Sequence, residues 1–391
     1  MRRSLAFGKL IALAFLCLGY LSAVCAQSVS VSVFASGLTS PRGLKFGPDG
    51  HLYVAEAGYP SGTLTKATAG LGGDCSAGLT GPGDYYGSTT GSRISRIDAH
   101  GSVTTFVDNL PSSEASGLAS GVADVAFIGD TLYAIFAGAG CSHGVPSIPN
   151  AVIRVNRDRS WTIVANLAAY QQAHPVANPT DPITGDFEPD GTWYSMIALR
   201  GSLYAVEPNH GELDEITTKG KISRIIDISA SQGHVVPTAI ADIEQHRDHG
   251  ERCEFSRGGV FYVGNLGQFA PAQLNTQSVF RITESGNLKV VATGFSKVLG
   301  VAIDGRDRLY VLESSYSTTD PGPEPFTGRL IRVLPNGKQE TLIDSTSGSL
   351  VFPTGMTFGP DGNLYVSNYG FGFPEGAGQI VKVTLHKGPE D

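Results

Sequence analysis

One short strand signature, Leu or Phe followed by Tyr and then Val or Ala, occurs six times: Leu52-Tyr53-Val54, Leu132-Tyr133-Ala134, Leu203-Tyr204-Ala205, Phe261-Tyr262-Val263, Leu309-Tyr310-Val311 and Leu364-Tyr365-Val366. Successive tyrosines are 80, 71, 58, 48 and 55 residues apart. A four-stranded propeller blade needs roughly 40–50 residues, so each unit is read as one blade, most of them carrying insertions. The fold class expected is all-β, a six-bladed β-propeller of four-stranded blades.

Each signature has the same surroundings. Upstream, an apolar strand enters a tight turn, as in Leu44-Lys45-Phe46-Gly47-Pro48-Asp49-Gly50 and Met356-Thr357-Phe358-Gly359-Pro360-Asp361-Gly362. Pro presets φ there and the second Gly takes the positive-φ position. Downstream comes a third strand with a recurring basic residue: Arg96, Arg154, Arg224 (in Ile222-Ser223-Arg224-Ile225), Arg281, Arg332 and Lys382. It is read as an exposed position whose stem covers apolar surface. Fourth strands such as Thr104–Val107 follow, but the chain ends after the sixth third strand. Val31-Ser32-Val33-Phe34-Ala35, leading into Gly37-Leu38 as fourth strands do, is expected to complete that blade and close the ring.

Residues 1–26 read as a secretory signal: Arg2 and Arg3, an apolar stretch from Leu10 to Leu21, and small residues at Val24 and Ala26 before Gln27. Residues 27–391 then form one propeller domain, secreted or periplasmic. Removing the leader takes away Arg2, Arg3 and Lys9 and no acid, moving the net charge from −8 to −11. An acidic exported chain argues against nucleic acid and anionic membrane as partners. Three cysteines remain, Cys75, Cys141 and Cys253. Cys75 and Cys141 fall in loops on one face of neighbouring blades and are expected to form a disulfide, leaving Cys253 as a lone thiol.

The long loops, 58–91, 138–150, 166–190 and 314–328, gather on one face, where binding residues usually sit. The opposite face has tight turns apart from 244–257, where His246, Asp248, His249, Glu251 and Cys253 crowd together and read as a solvated loop or a zinc site. His143, His174, His210 and His234 lie in loops of the long-loop face, as solvated residues or as a converging zinc set. Aligning the second strands places Glu56, Phe136, Glu207, Asn265, Glu313 and Asn368 at one equivalent position near the channel mouth. Two jobs suit that set. The side chains cap their own loops, or they bind a ligand or a hard cation such as calcium together. The first strands, which line the channel, begin with Arg42, Asp124, Tyr194-Ser195, Thr238, Leu299 and Thr354, a mixed mouth suited to a small polar or aromatic ligand or to water.

The opening Val33-Phe34-Ala35-Ser36-Gly37-Leu38-Thr39-Ser40-Pro41-Arg42-Gly43-Leu44, the Gly-Pro-Asp-Gly-X-Leu-Tyr-Val turns and the Gly185–Thr192 segment resemble the ScyD/ScyE family of secreted bacterial propellers, over almost the whole mature chain. More loosely, the chain is similar to NHL-repeat, gluconolactonase and strictosidine-synthase-like propellers. The resemblance implies fold and export, and no reaction. Gluconolactonase-type enzymes hold a divalent metal through Glu, Asn and Asp from different blades, whereas Arg42 stands here where a ligand carboxylate is expected. No Gly-X-Ser-X-Gly elbow, Walker loop or His-Glu-X-X-His motif occurs. The expected function is binding of a small ligand or partner on the loop-rich face at the channel mouth, through Arg42, Glu56, Asp124, Tyr194, Glu207, Asn265, Glu313 and Asn368. The alternative is a calcium- or zinc-dependent hydrolase or lyase of lactonase-like type; a third reading is a quinone-dependent sugar dehydrogenase.

Overall fold

Every signature strand pairs antiparallel with the apolar strand before it and the strand after it, so the six repeats form six separate sheets. This is the arrangement in a computed structural model that describes residues 29–67, 69–71, 74–77, 85–179, 188–243, 259–267, 274–316, 318–319 and 322–386. The first strands are Pro41–Phe46, Val122–Ile128, Ser195–Leu199, Pro237–Asp242, Val298–Ile303 and Gly355–Phe358. Each lies beside the first strand of the next blade, and the sixth lies beside the first. The protein is a six-bladed β-propeller of four-stranded antiparallel sheets with few helices. Among the described residues no helix is long and apolar enough to cross a membrane.

Ring closure follows the expected route. Val29–Leu38 pairs antiparallel with Gly378–Leu385, from Val29 opposite Leu385 to Leu38 opposite Gly378, and becomes the outermost strand of blade six. The hydrophobic core lies between blades rather than within them. Ile94 and Val107 of blade one pack with Val125, Leu132 and Ile153 of blade two, and Tyr365 and Ile380 of blade six pack with Leu44 and Leu52 of blade one.

The Gly-Pro-Asp-Gly turns owe their composition to the tyrosine that follows. Tyr53 donates its hydroxyl to Asp49 at 3.0 Å, and Tyr365 donates to Asp361 at 3.1 Å. A Cβ on Gly47 would stand 2.7 Å from the Tyr53 ring, and one on Gly359 would stand 2.5 Å from that of Tyr365, so only glycine admits the ring. The third-strand cation completes the unit, with Arg96 2.8 Å from Asp49 and Lys382 2.6 Å from Asp361. These bases are therefore partners of the turn aspartate as well as cover for apolar surface.

Blade three differs from the sequence reading. Its third strand is Glu212–Thr217, and Ile222–Asp227, with Arg224, is the fourth. Acidic residues at Glu212, Asp214 and Glu215 disguise a strand whose apolar contributions to the core are Leu213 and Ile216. Deleting residues 29–38 removes the closing strand and exposes the edge of Gly378–Leu385. The shortened chain is expected to lose on the order of 5 kcal/mol in urea melts and to self-associate on gel filtration.

Candidate functional site

The aligned residues at the ends of the second strands are engaged within their own blades. Glu56 accepts from the Thr39 N–H at 2.5 Å, from Arg93 Nε at 2.8 Å and Nη2 at 2.9 Å, and from the Ser95 hydroxyl. Glu313 accepts from the Ser296 N–H at 2.7 Å and from Arg329. Asn368 accepts from the Val351 N–H at 2.6 Å, and Glu207 accepts from the Thr192 N–H at 2.7 Å and the amides of Asn209 and His210. Asn265 donates to the Ser278 carbonyl at 2.7 Å, and Phe136 packs in the core between blades one and two.

A local strain explains the caps. Just after the capped amides of Thr39, Ser296 and Val351 the chain passes through a left-handed residue, Ser40 at φ 49°, Lys297 at 49° and Phe352 at 41°. The buried carboxylate or amide satisfies the N–H that this bend turns away from any strand. In the bonds described, no two of the five side chains share a partner. Among the described residues no group of three or more His, Cys, Asp or Glu is placed to hold a metal ion.

Arg42, Asp124 and Tyr194 do come together, around the axis. The Asp124 carboxylate accepts from the Val125 N–H at 2.8 Å, the Met196 N–H at 2.8 Å and the Ser195 hydroxyl at 3.0 Å, tying blade two to blade three. Gly43 of blade one fits against it because it has no Cβ, which would overlap the carboxylate oxygen at 1.9 Å. Burial pushes the Asp124 carboxyl up to about 6. Thr354 donates to the Pro41 carbonyl at 2.6 Å and Thr238 to that of Val298 at 2.6 Å, clasping blades six to one and four to five. Tyr194 reaches across the ring from blade three to the Thr354 carbonyl of blade six at 3.3 Å, and burial pushes its phenol up to about 12. Below this level the channel has about 30 Å³ of free space, room for roughly two waters.

Arg42 is the exception among these clasps. It is 7% exposed and donates to the carbonyls of Ala119, ahead of blade two, and Gly370 of blade six. Its guanidinium stands 5.9 Å from the Phe371 ring centre. Burial lowers its pKa, opposed by the nearby phenols of Tyr194, Tyr59 and Tyr85. No carboxylate among the described residues pairs with it. Tyr59, which donates to the Phe373 carbonyl at 2.8 Å, and the Gly370-Phe371-Gly372-Phe373 run were missed in the sequence, although the alternating glycines and aromatics were visible there.

His143, His174 and His210 bond within the loops around them, and burial followed by the neighbouring His210 lowers the His234 pKa. His143 is buried, its Nδ1 3.2 Å from the Ala139 carbonyl and its Nε2 3.6 Å from Glu188, and burial pulls its pKa down to about 4. His210 Nε2 donates to the Glu188 carbonyl at 2.9 Å, and His174 stacks on Tyr170 at 4.3 Å. The 244–257 cluster (His246, Asp248, His249, Glu251, Cys253) lies outside the described residues. So does the side chain of Cys75. Cys141 is disulfide-bonded, and the strand Asp74–Ala77 lies beside the turn Cys141–His143 that carries it.

A buried acidic cluster in blade three was hidden by the misread strand. Glu212 and Asp214 lie two residues apart on it, fully buried, with Arg224 donating to Glu212 and Trp193 Nε1 3.4 Å from Asp214. Burial and the neighbouring carboxylates push both pKa values up, and Glu212 Oε1 and Asp214 Oδ1 have no hydrogen-bond partner. Because the folded state holds protons here more tightly than the unfolded chain, stability falls as pH rises from the ordinary carboxylate range through the raised values. Glu212→Gln is therefore expected to raise the melting temperature relative to wild type at pH 9, by a gain of about 1 kcal/mol or more, and to narrow that gain near pH 4. Calorimetry across pH checks it. Non-reducing peptide mapping is expected to link the peptides containing Cys75 and Cys141, and a linkage to any other cysteine refutes the pairing.

No protein-family model and no curated relative matches the sequence. Solved structures do resemble the fold. A gluconolactonase from Xanthomonas campestris superposes with a TM-score of 0.52 at 10% identity, covering 93% of both chains. The PQQ-bound aldose sugar dehydrogenase of Streptomyces coelicolor gives 0.52 at 14%, covering 92% of this chain and 99% of that one. A putative glucose dehydrogenase from Thermus thermophilus gives 0.53 at 15%, covering 91% and 100%. At these identities the likeness concerns the fold, and the chain shares the six-bladed architecture of gluconolactonase-like and aldose sugar dehydrogenase propellers.

Proposed function

We propose that this is an exported propeller of the ScyD/ScyE kind that binds a small anionic molecule at the channel mouth on its long-loop face. The observation that carries the reading is Arg42, a buried guanidinium whose hydrogen bonds among the described residues all go to neutral carbonyls. Leaving water costs such a charge several kcal/mol, and carbonyl dipoles offset that only in part. An anion offers the charge-assisted, bidentate partner the guanidinium lacks. Tyr59, Tyr85 and Tyr194 place phenols around the same point. Kinship with the ScyD/ScyE propellers is supported by the residues quoted above together with the fold. Export is supported by the leader pattern in residues 1–26 and by Cys141 being in a disulfide. The gluconolactonase-like architecture adds sugar acids to the anions worth screening.

Metal-assisted hydrolysis has less support. The end-of-strand carboxylates already accept two or more donors each, and Arg42 occupies the mouth with a positive charge. Isothermal titration of the purified protein with gluconate, acetate, benzoate and phosphate, against neutral glucose, tests the reading. At least one anion is expected to bind and glucose is not. Arg42→Met is expected to weaken the anion at least about tenfold while circular dichroism stays unchanged, with Arg42→Lys intermediate. Failure of every anion to bind, or equal binding to the Met variant, overturns it.

A further inference from the structure

Beside Arg42 stands a group of aromatic side chains that the fold does not use. Phe352 and Phe371 stack with ring centres 4.5 Å apart and an interplanar angle of 18°. Phe373 lies 6.3 Å from Phe352, and Tyr369 meets Phe373 edge-on at 4.8 Å and 75°. All four are half-buried, and none belongs to any of the apolar clusters between blades. Phe352 occupies the left-handed position that Ser40, Val236 and Lys297 hold in other blades. A bulky aromatic there costs roughly 1–3 kcal/mol, and it gains no core packing in return. The guanidinium is fixed to this wall twice, by its bond to the Gly370 carbonyl and by its approach to the Phe371 ring. Gly372, at φ 76°, makes the turn between Phe371 and Phe373.

We infer that the anion taken at the mouth is an aromatic carboxylate, its carboxylate on Arg42 and its ring against the Phe352–Phe371–Phe373 wall. This rests on the anion site proposed above and specifies its ligand class. A flat π-face gains stacking and edge contacts from such a wall, whereas a saturated ring of the same size gains only contact area. The charge at one end and the apolar face beside it fix a single orientation, with Tyr194 as the floor that keeps the ligand out of the narrow channel.

The test compares benzoate, cyclohexanecarboxylate and acetate by calorimetric titration of the wild-type protein, with proton NMR of the bound ligands. Benzoate is expected to bind roughly fivefold or more tighter than cyclohexanecarboxylate, with its ring protons shifted upfield by the neighbouring rings. Phe371→Leu is expected to remove that preference, whatever it does to acetate, because the same ring also lies beside the Arg42 guanidinium. Equal affinity for benzoate and cyclohexanecarboxylate, both weakened by Arg42→Met, overturns the aromatic inference and leaves the anion site standing. Absence of binding by all three carboxylates overturns the aromatic inference, and the anion site falls with it only if gluconate and phosphate fail to bind as well. The wild-type comparison decides the matter even if the Leu variant does not fold.

Discussion

The antiparallel pairing of Val29–Leu38 with Gly378–Leu385 is the contact on which the rest of the molecule depends. An open array of six twisted sheets has two exposed edges and no reason to hold a fixed axis. Once the two ends of the chain are joined in one blade, the six first strands are held around a common centre, and each blade can bury its faces against two neighbours. The core confirms this dependence, because its clusters are shared between consecutive blades and blade six shares one with blade one.

Ring closure also sorts the polar residues near the axis. Most of the candidates are used to hold the ring or its loops. Glu56, Glu313 and Asn368 cap amides turned aside by left-handed residues, and Asp124, Thr238 and Thr354 clasp adjacent blades. Such bonds are made because a buried polar group without a partner is costly. Arg42 also spans blades, yet its partners among the described residues are neutral carbonyls.

Blade three shows a second departure. Two buried carboxylates, Glu212 and Asp214, lie beside one guanidinium, Arg224. In a low-dielectric interior the pair cannot both ionise cheaply, so burial holds a proton on it. Arg224 in turn donates to the His174 carbonyl and, through its amide, to the Tyr170 hydroxyl, binding the helix Leu167–Ala173 to this blade. The cluster connects this helix to the frame of the propeller.

Blade number, strand order and closure were legible in the sequence because they depend on local patterns repeated six times: the Tyr signature, the Gly-Pro-Asp-Gly turns, and alternation in the flanking strands. The one strand misassigned, Glu212–Thr217, carries acids where its equivalents carry neutral or basic residues, so its pattern pointed away from a buried strand. Equivalent position in the repeat also revealed Glu56, Glu207, Asn265, Glu313 and Asn368 as a set, but it carried no information on whom each side chain bonds. That choice belongs to tertiary structure. Thr39, 17 residues before Glu56, becomes its hydrogen-bond partner when blade one folds, and Gly370, 328 residues after Arg42, becomes a partner only when the ring has closed. By itself the sequence determined the repeated unit and therefore the architecture. The three-dimensional ring alone decided which polar groups hold it together, and that the partners of Arg42 among the described residues are neutral carbonyls from two other blades' connections.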